Sequence, residues 1–263
     1  MTEKRSFDLS VSIVLYKTPM FRIVPLLDEL QKAGAAKVFV IDNNPPGLVE
    51  SAGLDQFKNV ERYCTGRNLG FGPAQNIAIR KAVGRYKYHL ICNPDIVLSE
   101  GVISSMVDFM ERNPDVGLSM PKLVGVDGET HFCCRRSPVA LDYISQLLLP
   151  RSWGKRRRDA LEMRSYNYDA PMEVECLSGC FMFFRSDVLR KLGGFDERFF
   201  LYFEDFDLSR RSQRLAKNIY WPSAYVVHER QSAHRRSWHL KTEFALSAIR
   251  YFTKWGWFSR LPQ

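Results

Sequence analysis

Along this chain the hydrophobic and polar positions switch repeatedly between two periods. Residues 10–16 (SVSIVLY) form a continuous apolar, β-branched run, the pattern of a strand buried on both faces. Residues 21–30 then place Ile23, Leu26, Leu27 and Leu30 on one helical face, with Gly34 as a stop. Residues 37–41 (KVFVI) predict a second strand, which runs into Asp42, Asn43, Asn44 and two prolines. A short helix near 48–57 and a strand over 60–64 follow, then a glycine-rich turn from Gly66 to Gly72. The next helix is opened by Pro73, a favoured first-turn residue. Strands over 88–92 and 116–120 flank a helix over 102–110. Strands alternating with helices of this length imply βαβ units and an α/β fold with a doubly wound, mostly parallel sheet.

After Lys122 the alternation weakens. Residues 125–129 (GVDGE) predict a turn, 141–149 a short helix, and the basic stretch 151–164 an exposed loop, since it carries no apolar stripe. Strand-like runs at 173–176 and 180–184 flank Ser178 and Gly179. A helix over 206–215, a strand over 219–227 broken by Pro222, and a terminal helix over 238–255 complete the chain.

Composition narrows the class. The 263 residues are 45% hydrophobic and 25% charged, which suits a chain with a substantial core and excludes a disordered one. No apolar run approaches the ~20 residues needed to span a bilayer. The opening residues are polar and lack the apolar core of a secretory leader. Six cysteines form no C-x-x-C pair and no zinc-like spacing, so reduced, core-filling thiols and a cytoplasmic compartment are expected. Lys and Arg (38) exceed Asp and Glu (29) by +9, which points to an anionic partner. The excess is concentrated in Lys155, Arg156, Arg157 and Arg158 and in the last thirty residues. A nucleic-acid-binding protein would also be basic, but no helix-turn-helix, zinc finger or RNA-binding motif is present, so no nucleic-acid partner is expected.

In open α/β sheets ligands bind at the carboxyl ends of parallel strands. Three such ends are polar here: Tyr16 with Lys17 and Thr18, Asp42 with two asparagines, and Asn93-Pro94-Asp95. Each also suits turn formation alone, but three on successive strands mark a ligand edge. The turn carrying Arg67 and Asn68 is not a dinucleotide fingerprint, because Gln75 stands where the third glycine belongs. It is either a tight strand-to-helix turn or a loop facing a nucleotide. Glu204 and Asp205 lie among Phe199, Phe200, Tyr202 and Phe203, a dry setting that raises a carboxylate toward the range of a general base. Asp207 reads as a helix-start acid. His228 closes a strand, as a ligand or as a polar end group.

Taken in order, Ser12 to Tyr16, Ile41-Asp42-Asn43, Arg67 to Gly72 with Asn76, Asn93-Pro94-Asp95, Ser178-Gly179, Phe195-Asp196-Glu197, Glu204 to Asp207 and His228 resemble the family 2 inverting glycosyltransferases of GT-A fold. With Trp238 to Lys241, the chain is similar more narrowly to bacterial rhamnosyltransferases of O-antigen, lipopolysaccharide and related glycan assembly. The resemblance implies a nucleotide-sugar-binding half (1–122), an acceptor-side and catalytic half (123–237) and a basic aromatic tail (238–263). It implies a donor such as dTDP-L-rhamnose, or alternatively a UDP-hexose, bound by Tyr16, Asp42, Arg67, Asn68, Asn93 and Asp95. Asn93-Pro94-Asp95 occupies the place of the family's D-x-D motif, so Asp95 with His228 would ligate Mg²⁺ or Mn²⁺. Asp205 would be the catalytic base with Glu204 beside it, and Ser178 and Gly179 would shape the acceptor pocket. The acceptor implied is a lipid-diphosphate-linked saccharide. The apolar and aromatic side chains Phe244, Ile249, Tyr251, Phe252, Trp255, Trp257 and Phe258, interleaved with Arg250, Lys254 and Arg260, then suit peripheral docking on the anionic inner face of the cell membrane. The alternative is a helix that packs those rings on its own domain.

Overall fold

The first apolar run becomes β1 (Phe7–Leu15) of a computed structural model that describes residues 6–47, 53–54, 56–148, 151–229 and 238–258. After it come α1 (Met20–Lys32), β2 (Ala35–Asp42), β3 (Val60–Cys64), α2 (Phe71–Ala82), β4 (Tyr88–Cys92), β5 (Ile96–Leu98), α3 (Val102–Arg112) and β6 (Val116–Val124). The second half supplies β7 (Cys134–Arg135), α4 (Ala140–Leu148), α5 (Arg151–Leu161), β8 (Met172–Glu173), β9 (Cys176–Leu177) and β10 (Phe181–Arg185). The last elements are α6 (Ser186–Leu192), α7 (Glu204–Gln213), β11 (Lys217–His228) and α8 (Trp238–Trp255).

One sheet runs in the order β3-β2-β1-β4-β10-β6-β11-β5, with β8 also pairing β11. β1, β2, β3 and β4 are mutually parallel, and β11 is parallel to β6. β10 runs antiparallel between β4 and β6 and joins the two halves into one surface. Strand alternation divides β2 between two layers: Val38 and Val40 face α1, while Phe39 and Ile41 meet Ala74, Ala78 and Ala82 of α2. The α2 alanines let that helix lie close to the sheet. Inside, His89 is sandwiched between Ser10 Oγ (2.8 Å) and Ser12 Oγ (3.0 Å), and burial lowers its pKa to about 3, so it stays neutral.

Several sequence expectations change in three dimensions. The 151–164 stretch is mostly helix (α5) and not a loop; its helix-forming Lys and Arg need no apolar stripe, because Arg157 is tied to the buried Asp142 of α4 at 2.9 Å. Residues 48–52 and 55 of the expected helix at 48–57 lie outside the described residues, and Gly53, Leu54 and Gln56 are in turns. Pro73 is the third helical residue of α2, still within the first turn. Pro222 does not end β11 but coincides with a register shift between Trp221 and Tyr225. The six cysteines are free; five are buried and Cys64 is exposed.

Of the two expectations for the terminal helix, several of its rings follow the packed one. Tyr251, Phe252 and Trp255 are buried with Phe199, Phe203 and Ala140, and Phe244 packs beside them. These rings therefore cannot also lie on a membrane; the domain itself occupies them. Asp207 is a first-turn acid of α7, as expected, and it has a further role. It is fully buried, accepts from Arg211 Nε (2.8 Å), Lys254 Nζ (2.6 Å) and Trp255 Nε1 (2.8 Å), and so bolts α7 to α8. Removing one member of such a cluster leaves buried charge uncompensated. Asp207→Ala is expected to lower unfolding free energy by about 3–5 kcal/mol, read from urea denaturation, whereas Trp255→Phe, losing one hydrogen bond, should cost about 1–2 kcal/mol.

Candidate active site

The strand order reverses between β1 and β4, since β2 and β3 lie on one side of β1 and β4 on the other. At their carboxyl ends the backbone loses its ladder partners, and side chains take over. Asn43 is the hub of this edge. Its Nδ2 donates to Asn68 Oδ1 (2.9 Å) and to Gly70 O (3.1 Å), and its Oδ1 accepts from Leu69 N (2.9 Å) and Thr65 Oγ1 (3.2 Å). Asn44 Oδ1 accepts from Lys17 N at 2.8 Å and so fixes the end of β1, where Lys17 has φ 54°. Asp42 accepts from Asn44 N and Nδ2 and from Arg62. Burial alone raises the Asp42 carboxyl, but these hydrogen bonds and the Arg62 charge outweigh it and hold it below the usual carboxylate range. Tyr16 is exposed beside this carboxylate edge, and Arg67 is exposed on the glycine turn.

That turn is clamped from the other half. Phe71 N donates to Phe200 O at 2.8 Å, and a Cβ on Gly70 (φ +90°) would stand 2.3 Å from the same carbonyl. Only glycine permits that approach. Phe200 belongs to the aromatic approach to α7, whose first two residues are Glu204 and Asp205. Helix formation begins there because Phe203 turns the chain with φ 65°.

Asp205 is held by main-chain donors on both oxygens: Gly179 N to Oδ2 at 3.0 Å and Phe206 N to Oδ1 at 2.8 Å. A Cβ on Gly179 would lie 3.2 Å from Asp205 Cβ, so a side chain at this turn would crowd the carboxylate. Burial raises the Asp205 carboxyl, opposed by those two N–H groups and by the Arg135 charge. Glu204 lies deeper. Its Oε2 is buried without a hydrogen bond, and burial first, then the Asp205 charge, push its pKa up to about 8. Two adjacent carboxyls are thus separated into an acid form and a hydrogen-bonded base form.

Backbone bonds tie this pair to the end of β4. Cys180 O, next to Gly179, accepts from Asn93 N at 2.9 Å, and Asp95 O accepts from Glu229 N at 3.0 Å. Antiparallel pairing of β5 with β11 sets His228 opposite Ile96, next to Asp95. His228 Nε2 stands 3.4 Å from Asp95 Oδ1, a buried oxygen that accepts no hydrogen bond. An imidazole nitrogen beside an unsatisfied carboxylate oxygen is a donor set that fits a divalent cation. Among the described residues no group of three or more His, Cys, Asp or Glu side chains converges to hold an ion. Glu204, Asp205, Gly179, Asn93, Asp95 and His228 are brought together; Ser178 lies on the same turn, its N donating to Cys133 O.

Sequence reading missed Arg62 and Arg135. It placed Asn43 and Asn44 at a polar strand end on the ligand edge but gave them no role of their own. Arg62 and Arg135 carried no local signal, because β2–β3 pairing and β7–β9 pairing bring them in. Asn68, expected to face a ligand, spends its Oδ1 on Asn43 Nδ2 and Gly70 N.

Comparison with known proteins adds three findings. The sequence profile described as "Glycosyl transferase family 2" matches residues 25–193. Over 235 residues the chain is 27% identical to "N-acetylglucosaminyl-diphospho-decaprenol L-rhamnosyltransferase" of Mycobacterium tuberculosis, covering 83% of this chain and 76% of that one. It is 25% identical over 226 residues to "Rhamnosyltransferase WbbL" of Escherichia coli K12, covering 79% and 80%. Among solved structures, GalNAc-T7 with UDP, GalNAc and Mn²⁺ superposes with a TM-score of 0.68 at 16% identity, over 96% of this chain and 49% of that one. The mannosyltransferase PcManGT of Pyrobaculum calidifontis, with GDP-Man and Mn²⁺, gives 0.57 at 16% identity, over 98% and 66%. The fold is the GT-A fold of these glycosyltransferases.

The raised Glu204 has a consequence for stability. Folded protein holds a proton there that the unfolded chain releases, so this contribution is full below the unfolded pKa of about 4.3 and is lost as pH rises toward about 8. Glu204→Gln should therefore gain stability relative to the parent between about pH 5 and about pH 8, measured by urea unfolding across that range. A flat difference between the two proteins would place an ionised Glu204 in the fold.

Proposed function

From the premise that the chain belongs to glycosyl transferase family 2, we propose that it transfers L-rhamnose from dTDP-L-rhamnose, with inversion, onto a lipid-diphosphate-linked saccharide ending in N-acetylglucosamine. The observation that carries the reading is the chain of contacts from Asp205 through Gly179 and Cys180 to Asn93, Asp95 and His228. It unites a proton acceptor with a diphosphate-side ligand set at one strand edge. Both relatives are rhamnosyltransferases, which supports the sugar, and the mycobacterial one acts on an N-acetylglucosaminyl-diphospho-decaprenol, which supports the acceptor class.

In such a transfer the acceptor hydroxyl attacks the anomeric carbon from the face opposite the diphosphate. The bond from that carbon to the diphosphate oxygen breaks as the new glycosidic bond forms, and the hydroxyl proton passes to a carboxylate. Asp205 takes that proton. Its two main-chain hydrogen bonds fix its orientation and favour the ionised form, while burial keeps it basic enough to accept. Glu204, neutral in its dry pocket, adds no second negative charge beside the base and presents a proton donor toward the acceptor. On the donor side, Tyr16 and Asp42 would hold the base and ribose, with Arg67, exposed on the glycine turn, nearby. Asp95 and His228 would hold Mg²⁺ or Mn²⁺, which when bound neutralises charge on the leaving diphosphate; the imidazole favours Mn²⁺. The reaction is placed at the cytoplasmic face of a membrane, where a lipid-linked acceptor resides.

A UDP-hexose donor is the competing reading, favoured by the UDP in the similarly folded GalNAc-T7 and TarS structures. Purified protein offered dTDP-rhamnose and UDP-hexoses in parallel, with a synthetic GlcNAc-diphosphate-lipid and Mn²⁺ or Mg²⁺, separates them. Rhamnosyl transfer is expected, with Asp205→Asn lowering kcat about 10²–10⁴-fold while nucleotide binding persists. Hexose transfer would overturn the donor assignment, and full activity in Asp205→Asn would overturn the base. For Asp95→Asn, a higher metal requirement is expected in the same assay.

A further inference from the structure

We propose that the face formed by α4, α5 and the residues after α8 docks the enzyme on an anionic lipid leaflet. Its apolar part consists of Leu141 and Ile144, 43% and 39% exposed on consecutive turns of α4, together with Trp257 and Phe258, the latter 79% exposed. These are physically continuous: Ala140 N donates to Trp257 O at 2.9 Å, and the Trp257 ring lies 5.6 Å from that of Phe252. The basic part is α5, which α4 holds through the Arg157–Asp142 ion pair. Lys155, Arg156 and Arg158 are exposed on α5, and among the described residues none has a carboxylate within ion-pair distance.

The acids of the two helices do not offset this charge. Asp142 is buried on Val139 N and Arg157, and Asp159 pairs with Arg164. What remains outward is apolar rings and branched chains beside uncompensated cations. Water solvates the apolar half poorly, and a protein partner would need a matching acidic groove; an anionic leaflet satisfies both halves, taking the apolar side chains into its acyl boundary and the cations at its headgroups. Charge complementarity thus selects the lipid surface.

The face is also close to the chemistry. Tyr143, on the inner side of α4, stacks edge-on against Phe203 at 5.4 Å, and Phe203 immediately precedes Glu204. Docking through α4 therefore leaves about one aromatic layer between the leaflet and the carboxyl pair. The proposal rests on the lipid-linked acceptor advanced above, which the enzyme meets only at a bilayer surface.

Co-flotation of the full chain with phosphatidylglycerol–phosphatidylcholine vesicles, against phosphatidylcholine vesicles alone, tests it. Each basic side chain brought to an anionic leaflet strengthens partitioning about fivefold. The variant Lys155→Glu/Arg156→Glu/Arg158→Glu should bind anionic vesicles roughly a hundredfold more weakly. Leu141→Ser/Ile144→Ser/Phe258→Ser should bind about tenfold more weakly. The control Arg190→Glu/Lys191→Glu lies on α6, which follows β10 at the opposite end of the sheet, and should bind like the parent. No selective binding by the parent, or equal losses in the α5 and α6 variants, would overturn the proposal. Transfer to a water-soluble, short-chain GlcNAc-diphosphate acceptor separates the two readings. Unchanged transfer by an α5 variant that no longer floats supports docking. A parent that floats selectively yet transfers no sugar supports docking and refutes the reaction.

Discussion

The site depends on β10 being a strand of the sheet. β4 ends the parallel half with one free edge, and a buried edge must find partners for its N–H and C=O groups. β10 supplies them on one side and serves β6 on the other. Because it runs antiparallel, the residues just before it, Ser178 to Cys180, arrive at the carboxyl end of β4. That single pairing carries the Gly179 N–H to Asp205 and the Cys180 carbonyl to Asn93. Without it Asp205 would sit in a different half of the molecule from Asn93 and Asp95.

Around this junction the protein separates charge by degree of burial. Asp42 keeps its charge because Arg62 and Asn44 supply hydrogen bonds that outweigh desolvation. Asp205 keeps access to its charge through two main-chain donors, whereas Glu204, one residue earlier, has an oxygen with no partner and holds its proton. Asp207, two residues later, is buried as deeply as Glu204 but meets Arg211, Lys254 and Trp255 and serves as a structural anchor. Three acids within four residues thus take three roles, decided by what each carboxyl touches.

The terminal helix shows the same division between inside and outside. Its rings at Tyr251, Phe252 and Trp255 complete an aromatic layer behind Phe203, which fixes the start of α7 and hence the carboxyl pair. Trp238, Leu246 and Ile249 of the same helix stay outward, and a second set of exposed apolar side chains, Leu141, Ile144, Trp257 and Phe258, belongs to α4 and to the residues after α8. The tail is thus divided: its buried rings brace the carboxyl pair from behind, while Trp257 and Phe258 at its end stay exposed.

How far the sequence alone reaches follows the range of the interactions. The strands and helices of the first half were legible because burial on both faces writes continuous apolar runs such as 10–16, and amphipathic helices write a 3.6-residue period. The ordered motifs at Asp42, Asn93 to Asp95, Ser178 to Gly179, Glu204 to Asp205 and His228 named the residues that the fold gathers. The helical state of 151–161 was not legible, because a run of Lys and Arg writes no apolar stripe and its tie to α4, the Arg157–Asp142 pair, is made to another element. Arg62 and Arg135 were invisible for a related reason: they reach the site through strand pairing, which local pattern does not encode. Sequence determined which elements form and which chemical groups are available. Tertiary structure decided which carboxyl is dry, which is hydrogen-bonded and which is paired, because desolvation and charge contacts are set by neighbours distant along the chain.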